Sequence, residues 1–212
     1  MCTTDFCLCP AQVIAIAYLI GSIPFGWLMG KLFFGQDIRQ SGSGNIGATN
    51  ALRRFGTKAG VIVLLLDLGK GLLVMGLARK YLMPQSLEYT LAAAFVILGH
   101  IYPIWLNFKG GKGVATAAGA FIMIAPLPLV IALLAFIITV FISRYVSLGS
   151  LIAALTLLIS MGVYHFCKPM HYSMLILVAL LVGLVVYKHK ENIKRLVRGE
   201  ENRISFSKKG SQ

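Results

Sequence analysis

Acidic side chains are scarce in this chain: seven Asp and Glu stand against twenty Lys and Arg. Charged residues of both signs make up 13% of its 212 residues, roughly half the share found in soluble domains. That scarcity excludes an ordinary water-exposed surface. Cysteine is limited to Cys2, Cys7, Cys9 and Cys167. Three of these crowd the first nine residues with no histidine cluster beside them, so metal binding there is weakly supported and disulfide status stays open. No set of His, Cys and carboxylates has metal-ligand spacing, and no metal or other cofactor is expected. A basic n-region is lacking, so no cleavable signal peptide is read, and residues 1–10 form a short polar leader. Tandem repeats and low-complexity tracts are absent as well.

What the chain has in abundance is apolar sequence. Hydrophobic residues reach 58%, in long runs from end to end. The expectation is an all-α integral membrane protein, one polytopic domain over residues 1–212, with the bundle over about 11–187 and a polar tail from 188. The spans read as about Ala11–Phe34, interrupted at Pro24, then Ala59–Ala78, Leu87–Phe108, Leu148–Phe166 and Tyr172–Tyr187. Residues 114–142 are ambiguous. Proline breaks the helical ladder, so Pro126 and Pro128 divide this stretch into halves of roughly 12 and 14 residues, each short of a bilayer core about 30 Å thick.

Charge decides the topology. If 114–142 enters the membrane twice, the loops at 35–58, 109–112 and 143–146 share one side with the tail. With Lys31, that side holds 16 of the 20 basic residues. Arg79, Lys80 and Lys168 lie opposite, and Lys70 lies inside a span. The positive-inside rule places the basic side in the cytoplasm. Seven membrane segments follow, two of them short, with the N-terminus outside and the C-terminus cytoplasmic. The net charge of +13 then orients the chain and attracts anions, and no nucleic-acid partner is expected; membrane lipid is.

Three polar stretches interrupt the apolar sequence. In Asn107-Phe-Lys-Gly-Gly-Lys-Gly-Val-Ala-Thr116, Lys109 and Lys112 alternate with Gly110, Gly111 and Gly113. Successive glycine N–H groups can form an anion nest, the helix beginning near Val114 presents its positive end, and lysine adds a mobile charge. The stretch reads as a phosphate cradle. It is not a Walker A loop, because glycine rather than Ser or Thr follows Lys112.

The first loop, Ser41-Gly-Ser-Gly-Asn-Ile-Gly-Ala-Thr-Asn50 with Arg53 and Arg54, contains G-x-G-x-x-G at Gly42, Gly44 and Gly47. A dinucleotide site is rejected, since that fingerprint needs a preceding strand. Ser41, Ser43, Asn45, Thr49 and Asn50 crowd hydrogen-bonding groups into one turn, and Arg53 can fork onto a phosphate. The third stretch, Lys188-His-Lys-Glu-Asn-Ile-Lys-Arg195, is partly a basic collar at the membrane surface. His189 and Asn192 nevertheless share a helical face, and Glu191 is expected to pair with a basic residue.

Asp67 and Lys70 stand at i, i+3 within a span, as a functional pair or as mutually neutralising charges. His100, also in a span, reads as a hydrogen-bonded packing residue. Ser143–Ser150 adds hydroxyls and Arg144 on the basic side.

Together SGSGNIGATN with Arg53, GHIYPIWLNFKGGKGVAT and KHKENIKRL resemble the three cytoplasmic motifs of the bacterial acyl-phosphate:glycerol-3-phosphate acyltransferases, in the same order. The similarity extends from the first span to about Arg203. It implies a seven-segment enzyme of the bacterial cytoplasmic membrane, active site facing the cytoplasm. Such an enzyme moves a fatty acyl group from acyl phosphate to the sn-1 hydroxyl of glycerol 3-phosphate, releasing lysophosphatidic acid and phosphate. By position, it implies catalytic roles for Ser43, Asn45, Arg53, His189 and Asn192. Substrate binding falls to Thr49, Lys70, Lys109, Gly110, Gly111, Lys112, Gly113 and Ser150, and Glu191 is structural. The His-x4-Asp pair of other glycerolipid acyltransferases is absent: the fifth residues after His100, His165, His171 and His189 are Trp105, Met170, Ile176 and Lys194. His189 or a substrate phosphate is left to act as base. The rival class is a transporter of phosphorylated solutes, which would need its polar groups near the midplane rather than gathered on one face.

Overall fold

The computed structural model describes residues 8–204 apart from Gln85 and Pro169. It is 78% helical, and no strand occurs among the described residues. The described residues form ten α-helices, in order: α1 Pro10–Gly21, α2 Phe25–Phe34, α3 Ala48–Phe55, α4 Thr57–Tyr81, α5 Leu87–Ile101, α6 Val114–Ile124, α7 Pro126–Ser143, α8 Val146–Cys167, α9 Tyr172–Lys188 and α10 Lys190–Val197. Short 3-10 turns cover Ile38–Gln40 and Ile104–Leu106. The residues group into two compact units, one within residues 8–126 and 170–177, the other within 127–168 and 178–204.

Among the described residues, four helices are long and apolar enough to cross a membrane. They are α4, α5 extended to Leu106, α7 and α8; the number rises to six if the bent pairs α1–α2 and α9–α10 each count as one span. Leucine, isoleucine and phenylalanine face outward along them, among them Leu65, Leu134, Phe141 and Ile159. Such a surface is matched by acyl chains rather than water.

One expectation about the membrane segments changes. Pro126 and Pro128 do not separate two short pieces. They lie in the first turn of α7, where a proline's missing N–H breaks no helical bond, and the break falls at Ala125. Only α6, with 11 residues, is short; α7 runs 18 residues, about 27 Å. Length and apolar character give four spans, or six with the bent pairs, and α6 is a shorter apolar helix besides.

In the first unit, α4 packs on α3, α5 and α6, and α1 packs on α5. A Cβ at Gly71 would overlap the carbonyl of Thr116, and one at Gly119 would overlap that of Leu68. Without those atoms the α4 and α6 backbones touch, as small residues allow between membrane helices. Below the first polar loop, Met29, Ile38, Ile46, Ala51, Ala59, Val63 and Leu106 form a buried apolar cluster. This cluster seats the loop on the bundle.

Candidate active site

The first loop is organised by one side chain. Asn50, in the first turn of α3, is 2% exposed. Its Nδ2 donates to the carbonyls of Ile38, Ser41 and Asn45 at 3.1, 3.2 and 2.8 Å, and its Oδ1 accepts from Ser43 N–H at 3.0 Å. Gly42 passes this amide with φ +62°, and a Cβ there would overlap Asn50 Oδ1. The glycine is required twice, by backbone sign and by contact. Asn50 therefore builds the loop from within.

Ser43 is held by its backbone and its side chain is exposed. Asn45 Oδ1 accepts from Gly47 N–H at 2.8 Å, so the side chain has its NH2 group, a donor, to offer a ligand. Thr49 and Arg53 lie half-buried on α3. The loop's entry is pinned by Asp37, whose carboxylate accepts from Arg39 at its backbone and guanidinium and from Trp27 Nε1. The hydrogen bond from the Arg39 guanidinium, foremost, holds the Asp37 carboxyl well below the usual carboxylate range.

The cradle departs from the nest expected of it. Gly110 N–H donates to the carbonyl of Ile101 at 3.2 Å and Gly111 N–H to that of His100 at 3.0 Å. Both donors close the C-terminal end of α5, and neither points outward as a nest would require. A Cβ at Gly110 would overlap His100 O and Pro103 Cδ, and one at Gly111 would overlap His100 Nε2. These glycines thus let the loop lie flat on α5. Gly113 alone has positive φ, +82°, and serves as N-cap of α6. The first helical bond of α6 runs from Ala117 N to Gly113 O. The N–H groups of Val114, Ala115 and Thr116 therefore have no carbonyl within the helix, and with Lys112 they form the positive end of the cradle. Lys109 is exposed and Lys112 half-buried.

Behind the cradle stands a buried cluster. Lys70 Nζ lies 2.9 Å from Asp67 Oδ1, 2.9 Å from His100 Nδ1 and 3.1 Å from the carbonyl of Ile23. An ammonium has three donors and no acceptor. His100 Nδ1 lies between that ammonium and Asp67 Oδ1, 3.3 Å away, while Nε2 is the nitrogen against Gly111. The donors of Lys70, expected to reach substrate, are engaged here. His100 is the hydrogen-bonded packing residue the sequence suggested.

In the second unit, His189 and Asn192 are buried. His189 Nδ1 lies 2.8 Å from the carbonyl of Val185. A carbonyl only accepts, so Nδ1 carries the hydrogen and Nε2 of the neutral ring carries the lone pair. Asn192 Nδ2 donates to Glu201 Oε1 at 2.8 Å. Glu191 does pair with a basic residue, Lys194, at 3.2 Å, but both side chains are more than half exposed and such pairs contribute little. Ser150 is buried, with its hydroxyl donating to Val146 O. Sequence reading passed over Glu201 and reached Ser147 only as one of the hydroxyls of Ser143–Ser150; the one signal for Glu201 was a carboxylate in a tail otherwise rich in lysine and arginine. Among the described residues no group of three His, Cys, Asp or Glu could hold a metal ion.

A helical membrane protein with hydrogen-bond donors and basic side chains gathered in polar loops is the class these features define. The family model for glycerol-3-phosphate acyltransferase matches residues 11–199. A glycerol-3-phosphate acyltransferase of Desulforamulus reducens is 46% identical, with 93% of this chain and 96% of that protein covered. That of Bacillus subtilis is 42% identical over 92% and 98%. The crystal structure of PlsY, an integral membrane glycerol 3-phosphate acyltransferase, in its glycerol 3-phosphate form superposes with a TM-score of 0.86 at 37% identity, covering 92% of this chain and 96% of that one. Its lysophosphatidic acid form gives 0.82 at 36%. The chain belongs to the glycerol-3-phosphate acyltransferase family.

Proposed function

We propose that the protein is a membrane acyltransferase that moves a fatty acyl group from acyl phosphate to the sn-1 hydroxyl of glycerol 3-phosphate. The carrying observation is the likeness over nine-tenths of the chain to an enzyme crystallised in glycerol 3-phosphate and lysophosphatidic acid forms. The transporter alternative gains nothing from any relative. The phosphate of glycerol 3-phosphate is assigned to the positive end of α6 with Lys109 and Lys112, beside Gly110, Gly111 and Gly113. Arg53 forks onto a substrate phosphate, and Thr49 and Ser150 are assigned to substrate binding as further hydroxyls. Lys70 is assigned to the support of the cradle.

In the reaction the sn-1 oxygen attacks the acyl carbonyl carbon. An ester C–O bond forms, the bond from that carbon to the phosphate oxygen breaks, and phosphate departs with the electron pair. Phosphate is a good leaving group, so strong acid assistance is unnecessary. The developing oxyanion needs fixed donors, which the Ser43 hydroxyl, the Asn45 amide or the Asn192 amide supplies. The hydroxyl hydrogen goes to His189 Nε2, the nitrogen that its bond to Val185 leaves as acceptor. Seven segments, a cytoplasmic active site in the bacterial inner membrane and an outward N-terminus are proposed with it, from the charge distribution.

The test is the purified protein in detergent with synthetic acyl phosphate and glycerol 3-phosphate. Phosphate release with formation of lysophosphatidic acid is expected, undiminished by chelators. Comparable turnover with acyl-CoA overturns the donor, and no acyl transfer from either donor overturns the function.

A further inference from the structure

The turn that leads into the cradle has two faces. Leu106, at the end of the 3-10 turn Ile104–Leu106, points inward and joins the apolar cluster under the first loop. Ile104, Trp105 and Phe108 turn the other way and are 45, 62 and 57% exposed. The backbone between them closes on itself. Leu106 N–H and Phe108 N–H both donate to Pro103 O, at 3.1 and 3.0 Å, and Lys109 N–H donates to Leu106 O at 3.1 Å.

Two successive residues other than glycine make this reversal in the left-handed region, Asn107 at φ +51° and Phe108 at φ +60°. Asparagine tolerates that region. A bulky residue there is an outlier, and glycine would meet the backbone requirement without strain. The turn therefore calls for a left-handed residue at 108 but for no ring. Strain of this kind collects at sites that bind something.

The place of the turn identifies what the ring meets. α5 extended to Leu106 is a span of 20 residues, about 30 Å long at helical rise and so about as long as the hydrocarbon core is thick. Trp105 and Phe108 fall at its end, the level where tryptophan concentrates in membrane proteins. Lys109, which follows directly, is exposed. A cation beside the rings complements anionic headgroups. The apolar surface of the turn thus continues the lipid-facing surface of α5 up to the headgroups.

We propose that Ile104, Trp105 and Phe108 form a wedge set into the headgroup layer of the bilayer, and that it seats the adjoining cradle at the depth where a lipid donor carries its phosphate. The inference rests on the reading of residues 107–113 as the glycerol 3-phosphate cradle. One substrate dissolves in water and the other in lipid, so their reacting atoms meet only if the loop holding the first is fixed at the plane of the second.

The experiment places the full-length protein in nanodiscs of phosphatidylcholine and phosphatidylglycerol and reads tryptophan fluorescence. The chain has two tryptophans. Trp27 is half-buried with its N–H on Asp37, so the difference between the parent and Trp105→Phe isolates Trp105. Lipid brominated near the headgroup is expected to quench Trp105 more than lipid brominated at the chain ends. Iodide in the water is expected to quench it less than a free tryptophan analogue. Alongside, the pair Trp105→Ser with Phe108→Asn is followed by thermal unfolding and by kinetics in nanodiscs and in detergent. It is expected to unfold no earlier than the parent, because asparagine relieves the backbone at 108. It is expected to lose about tenfold in kcat/KM for acyl phosphate in nanodiscs, as a small misplacement does, and less in detergent.

Quenching by iodide alone puts the turn in water and overturns the proposal. So does quenching chiefly from the chain ends, or shielding from every quencher, which would mean that protein covers the turn. A pair that unfolds well below the parent makes the ring at 108 a packing residue and overturns its part in the wedge. Shallow quenching with equal kinetic losses in both media overturns the seating of the cradle. If Lys112→Ala leaves KM for glycerol 3-phosphate unchanged, the cradle reading falls by itself, since the depth of Trp105 is measured without turnover.

Discussion

His100 Nδ1 and Lys70 Nζ stand 2.9 Å apart where neither residue is more than 4% exposed. The contact joins two helices, α4 and α5, and its far side touches the cradle at Gly111. A charge pair inside the bundle is thereby coupled to the loop assigned to glycerol 3-phosphate.

Breaking the pair leaves a buried charge without its counterpart, which costs about 3–5 kcal/mol. Lys70→Met is expected to lower the unfolding temperature in detergent sharply, and Asp67→Leu with Lys70→Met to recover much of the loss. Lys70→Met as stable as the parent would show that Asp67 and Lys70 do not stabilise each other as charges.

Gly111→Ala drives a β-carbon into the His100 ring and lifts the cradle from α5. The effect reaches substrate through Lys109 and Lys112, since the Gly111 N–H is already engaged. KM for glycerol 3-phosphate is expected to rise about tenfold or more, the equivalent of one charge-assisted contact at about 1.5–3 kcal/mol. KM for acyl phosphate is expected to rise less. Combining it with Lys112→Ala is expected to add little. Kinetics with each substrate varied in turn decide; equal effects on both remove the glycerol-phosphate assignment from this loop.

Asp37 makes stability depend on acid. Its folded-state pKa is depressed, with the Arg39 guanidinium and the Trp27 N–H facing it. Its contribution is therefore full above the unfolded carboxylate value, about 3.9, and fades as pH falls through the lower folded value. Asp37→Asn is expected to be less stable than the parent at pH 7, with the two unfolding curves approaching each other only below about pH 4. A gap that closes at higher pH would contradict this.

Topology is open to labelling. In a background without cysteine, single cysteines at Gln36, Lys109 and Lys190 are expected to escape an impermeant thiol reagent in intact cells and to react once the membrane is opened. One at Met83 is expected to react in intact cells. Labelling of Lys190→Cys alone in intact cells would mean that residues 114–142 cross once.

The sequence pattern disclosed what is local. Apolar runs located α4, α8 and α9 to within a few residues, because a membrane helix needs length and apolarity and little else. The motif residues were visible because glycine, serine, asparagine and lysine stand out against leucine. What stayed hidden depends on which group lies opposite. Asn50 looks like one more ligand until three carbonyls converge on it. Gly110 and Gly111 look like a nest until His100 and Ile101 take their N–H groups. Pro126 and Pro128 do mark a break, at Ala125, but do not reveal that the helix they begin runs 18 residues. Glu201 and its partner Ser147 are 54 residues apart, beyond the reach of spacing arguments.

The interruption between α1 and α2 has a consequence for how such chains diverge. In an unbroken helix the Ile23 carbonyl would be taken by the N–H four residues on. Here Pro24 stops the first helix, and that carbonyl receives Lys70 Nζ instead. An ammonium among apolar side chains depends on fixed oxygens, and a continuous helix has none to spare. Positions 24 and 70 are thereby bound together across 45 intervening places. A lineage that replaces the proline and straightens the helix is expected to discard the lysine, and with it the carboxylate at 67, so that the three residues are inherited or lost as a set.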